Sequence, residues 1–75
     1  MSNPKATKLE QIAKKMKDFN LETLEMKTFV NVELPGADMD MGEDYMELNL
    51  EAIDPDQARA LASVLNTWAD CVEQH

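Results

Sequence analysis

From Leu24 to Leu34 the chain alternates at every second residue, and a helix cannot bury a stripe with that period. Leu24, Met26, Thr28, Val30, Val32 and Leu34 fall on one side, and Glu25, Lys27, Phe29, Asn31 and Glu33 on the other. The run reads as one long half-buried strand over 22–34, ended by Pro35-Gly36. Residues 21–27 also hold good helix formers, so the strand assignment rests on 27–34.

The segments on either side have a helical period. Leu9, Ile12, Ala13, Met16 and Phe19 are spaced as one helical stripe, with Asn3 as cap and Pro4 at the first position. A helix is expected over about 4–19, with Asn20 as its left-handed terminator. Asp54-Pro55-Asp56-Gln57 is a capping-box pattern. Ala58, Leu61, Val64, Leu65, Trp68, Ala69 and Val72 follow it as a wide apolar stripe, which predicts a helix over 55–73. A second strand is expected after residue 44, with Met46, Leu48, Leu50 and Ala52 on one face. Tyr45, Glu47, Asn49, Glu51 and Ile53 lie on its other face. Residues 36–44 read as a long acidic loop.

These elements predict a single α+β domain over 1–75, in the order helix-strand-strand-helix. The strands form an antiparallel β-hairpin with both helices on one face. Facing residues must share a face, which limits the register. One choice sets Glu33 against Glu47, a like-charge pair. The preferred one sets Glu33 against Asn49 and Phe29 against Ile53. Two strands make a marginal sheet with both edges open, so a homodimer with a four-stranded sheet is expected. Packing of the Trp68 helix against its mate is the other route to a dimer.

Charge narrows the function. The net charge is −8 over 75 residues. Residues 1–20 carry five lysines against Glu10 and Asp18; residues 21–75 carry Lys27 and Arg59 against thirteen acids. An acidic body repels a phosphate backbone, so direct nucleic-acid binding is not expected. A basic protein surface is the expected partner, of the kind a nucleic-acid-binding protein presents. The lysines of the first helix are expected to balance the acidic body. No run of about 18 apolar residues marks a membrane span. The first residues show no apolar signal core, and the expected location is cytoplasmic.

The catalytic inventory is thin. His75 is the one histidine, and Ser2 and Ser63 are the serines. Gly36 and Gly42 build no phosphate loop. Cys71 is alone, which rules out an internal disulfide, and no Cys/His set has zinc spacing. Cys71 reads as a quiet helix residue, the chain as no enzyme, and no cofactor is implied.

Two acidic surfaces remain as partner-binding candidates. One is the outer strand face, with Glu25, Glu33, Glu47 and Glu51 as charges and Phe29 and Tyr45 as anchors. The other is the loop with Asp38, Asp40, Glu43 and Asp44. That loop partly follows a calcium-binding pattern, but its third ligand is missing and Leu48 stands where the closing Glu belongs. In size and charge the chain is similar to small acidic inhibitors of phages and mobile elements, including DNA mimics and anti-defence proteins. The similarity is one of composition and carries no residue over. It implies an inhibitor or adaptor docking on a basic surface. The alternatives are a self-associating assembly module and a weak calcium-responsive binder.

Overall fold

A computed structural model of the chain describes residues 7–73. The order is α1 (Lys8–Asp18), β1 (Glu22–Glu25), β2 (Val30–Leu34), β3 (Ala37–Met41), β4 (Met46–Leu50) and α2 (Pro55–Glu73). The strands form one antiparallel sheet in the order β1-β2-β3-β4. The α+β class and the two helices agree with the sequence reading; the two-stranded sheet does not. One chain builds all four strands.

Two corrections explain the difference. The long strand over 22–34 is broken at Lys27-Thr28, where the Met26 N–H donates to the Phe29 carbonyl at 2.9 Å and closes a hairpin. The acidic loop is largely a strand. Ala37, Met39 and Met41 are buried on its inner side, while Asp38 and Asp40 point outward. Aspartate is a poor strand former, but burial of two methionines at 0% exposure outweighs that local preference. Two-residue turns at Lys27-Thr28, Pro35-Gly36 and Glu43-Asp44 therefore recur at eight-residue intervals.

The middle turn has the firmest local cause. Proline holds its φ near −65°, and Gly36 lies at φ +82°, the combination of a type II turn. A Cβ on Gly36 would stand 2.7 Å from Ile53 Cγ2, so this position excludes side chains twice over.

Strand β3 lies between β2 and β4, so neither expected β2–β4 register occurs. Glu33 pairs with Glu22 and Asp38, and Asp38 pairs in turn with Asn49. Phe29 has no pairing with Ile53.

Both helices pack on the inner face and leave its β4 margin open. Ile12, Ala13 and Met16 of α1 join Val30, Val32, Met39 and Met41 of the sheet and Leu61, Val64 and Cys71 of α2 in one core. Helix α1 starts at Lys8, with Thr7 as cap. The Glu10 N–H donates to Thr7 Oγ1 at 3.0 Å, and the Thr7 N–H donates to Glu10 Oε1 at 2.8 Å. The expected Asn3-Pro4 cap lies outside the described residues. At the other end Asn20 has φ +63°, and Leu21 and Asn20 donate to the carbonyls of Met16 and Lys17. Helix α2 has the expected capping box, with both Asp54–Gln57 bonds at 2.8 Å. Its Trp68 indole N–H donates to the Gly42 carbonyl at 2.9 Å and pins the helix to the last turn.

Candidate functional site

The outer face of the sheet is built from alternate residues of four short strands. The pairings place Glu22, Glu33, Asp38 and Asn49 in one row across the strands. The next row holds Leu24, Asn31, Asp40 and Glu47. Continued beyond the paired residues, the same register brings Phe29 and Tyr45 to either side of Gly42. A Cβ on Gly42 would lie 3.0 Å from the Tyr45 ring, so that ring covers the glycine.

Directly opposed side chains have Cβ atoms ~5 Å apart. Glu22 faces Glu33, Glu33 faces Asp38, and Asp40 faces Glu47. No lysine or arginine occupies either row. Among the described residues the ion pair is Arg59 with Asp56 at 3.2 Å, both exposed on α2. Among the described residues the face is therefore acidic without local compensation, and like charges opposed in this way weaken the sheet.

Its one internal organiser is neutral. Asn31 Nδ2 donates to Asp38 Oδ1 at 3.0 Å and to Asp40 Oδ1 at 2.8 Å. One amide group thus holds two successive outward carboxylates of β3 at a fixed spacing.

Glu33, Tyr45 and Glu47 come together on this face as expected, and Asp38 and Asp40, expected in a loop, join them from β3. Phe29 joins them half-buried, and Glu51 flanks them, its N–H donating to the Gly36 carbonyl at 2.8 Å. Glu43 and Asp44 are exposed in the β3–β4 turn at one end. Glu25 does not belong. It pairs with Val30, which places it on the helix side of the sheet, although it is exposed there. The break at Lys27-Thr28 reverses the parity of β1, and the same reversal brings Glu22 and Leu24 to the outer face. Sequence reasoning missed both. Leu24 is 59% exposed beside these carboxylates. The eight-residue interval counted back from Pro35-Gly36 is the signal that finds them.

Among the described residues the cations lie elsewhere. Lys14, Lys15 and Lys17 are exposed on α1, Arg59 is on α2 and Lys27 is in a turn. Lys8 Nζ donates to the Val72 carbonyl at 2.7 Å, which places a positive charge against the C-terminal end of α2. The expected balancing of acids by α1 lysines is not seen as ion pairs among the described residues.

An open cleft between the ends of α1 and α2 is lined by Lys15, Asp18, Phe19, Thr67, Asp70 and Cys71. Cys71 is buried, and desolvation pushes its thiol up; Lys15 opposes the shift and Asp70 adds to it. That is the environment of an inert thiol. The calcium pattern loses its loop, because Asp38 and Asp40 sit on an extended strand. Among the described residues no group of three or more His, Cys, Asp or Glu is placed to hold a metal ion. No described helix is long and apolar enough to cross a membrane.

Comparison with known proteins finds no matching family model, no matching curated protein and no matching solved structure.

Proposed function

We propose that this chain is a non-catalytic binding module whose acidic outer sheet face docks on a basic surface of a larger protein, as an inhibitor or adaptor. The observation that carries the reading is the uncompensated set of carboxylates on Glu22, Glu33, Asp38, Asp40 and Glu47. Three opposed like-charge pairs cost stability in the free protein. A cationic partner removes that cost on binding. Leu24 and Tyr45, both exposed, supply apolar contact at the margins of the charges. A partner whose surface evolved for nucleic acid has the required charge.

The test is capture on the immobilised protein at low and raised salt, with Glu33→Lys/Glu47→Lys as the comparison. A partner that is retained by the wild type, lost in the variant, eluted by salt and displaced by duplex DNA supports the reading. Equal retention by both proteins contradicts it.

Assembly as a homodimer is the second part of the proposal. Its ground is no longer an incomplete sheet, since one chain supplies four strands. It rests instead on Leu48 and Leu50, which stand on the inner face of edge strand β4 and are 38% and 51% exposed. This observation also favours the alternative class, a self-associating assembly module whose charge keeps it soluble.

A further inference from the structure

Strand β4 is an edge strand, and its hydrogen-bonding pattern shows which of its backbone groups are free. The Gly42 N–H donates to the Tyr45 carbonyl at 2.8 Å, and the Glu51 N–H donates to the Gly36 carbonyl at 2.8 Å. In an antiparallel ladder such pairs alternate, so Tyr45, Glu47, Asn49 and Glu51 direct their backbone groups toward β3. Met46, Leu48 and Leu50 therefore direct theirs away from the sheet. These are also the residues whose side chains face the core side, where Leu48 and Leu50 remain exposed. Among the described residues an unpaired backbone row and an uncovered apolar row coincide on the same strand positions. That edge carries no proline, no lysine and no bulge to block pairing.

We infer that β4 pairs antiparallel with β4 of a second copy, in the register centred on Leu48. This inference rests on the homodimer reading and specifies its edge and register. Charge selects the register. Centred on Leu48, the two-fold sets Leu48 against the second copy's Leu48, Met46 against its Leu50, Glu47 against its Asn49, and Tyr45 against its Glu51. No acid meets an acid. A shift of two residues one way sets Glu47 against the second copy's Glu47. A shift the other way sets it against Glu51. Both create like-charge pairs. A shift of one residue would oppose an inward to an outward side chain and is excluded by parity.

The two-fold axis of such a pair runs perpendicular to the sheet. Both acidic faces then lie on the same side of one eight-stranded sheet, and the four helices lie on the other. The dimer would present the two acidic rows of each copy as one continued surface, so a basic partner would meet about twice the charge.

Disulfide trapping tests the register on the intact chain, in a Cys71→Ser background, with mass by light scattering read in parallel. Leu48 is partly exposed, so Leu48→Cys leaves the core in place. The expected result is a dimer in solution, ready cross-linking of Leu48→Cys under mild oxidation, and little cross-linking of Leu50→Cys alone. A mixture of Met46→Cys and Leu50→Cys chains should cross-link. A dimer whose Leu48→Cys variant stays uncross-linked, and whose mass is unchanged by Leu48→Lys, overturns the β4 inference and leaves the homodimer reading standing. A monomer of the starting chain at high concentration overturns both.

Discussion

Glu33 on β2 stands directly opposite Asp38 on β3, with Glu22 on its other side and no cation in the row. Replacing Glu33 with Lys turns two repulsive contacts into attractive ones. Exposed cross-strand pairs contribute ~0.2–1 kcal/mol each, so Glu33→Lys should stabilise the fold by about 1 kcal/mol. Urea denaturation at low ionic strength reads the change. Salt should also raise the wild-type midpoint, since the Debye length falls to ~8 Å at physiological ionic strength. It should raise the variant's midpoint less. A destabilised variant would mean that Glu33 has a partner on this face other than its acidic neighbours.

The β2–β3 turn gives a prediction of the opposite sign. Gly36→Ala forces a side chain into a left-handed conformation and against Ile53. The expected loss is about 1–3 kcal/mol, on the scale of backbone strain at a non-glycine residue. Thermal unfolding of the purified variant measures it. An unchanged midpoint would show that the turn tolerates another geometry.

Trp68 is the polar link between α2 and the β3–β4 turn. Trp68→Phe keeps an aromatic ring but removes the donor to the Gly42 carbonyl. The expected cost is about 1–3 kcal/mol, because the acceptor loses its partner. Amide exchange should quicken at the turn around Glu43-Asp44 before it quickens in β2.

Cys71 is buried and its thiol is raised by desolvation. The reactive thiolate is thus disfavoured in the folded protein at neutral and mildly alkaline pH. Alkylation by iodoacetamide at pH 8 should be slow in the native state and fast in urea. Fast native labelling would place Cys71 in an accessible, activated environment.

Much of the fold was legible in the residues. The capping box at Asp54–Gln57 and the terminator at Asn20 were read directly, because those side chains act on backbone groups within a few positions. The sheet was harder. Lys27-Thr28 carries no turn signature, so two strands with opposite parity looked like one. Asp38-Met39-Asp40-Met41 has the period of a strand but the composition of a loop, and only burial of its methionines decides between them. The site followed the same division. Glu33 and Glu47 were found because their strands kept phase with the core. Glu25 was misplaced, and Glu22 and Leu24 were missed, because an unseen turn inverted β1.

Binding through the outer face is tested most directly by comparing the wild type with Glu33→Lys/Glu47→Lys against the same captured partner, at low and at physiological salt. The proposal predicts salt-sensitive binding by the wild type and no measurable binding by a folded, equally or more stable variant. Retention of the partner by the double variant with unchanged affinity would contradict it.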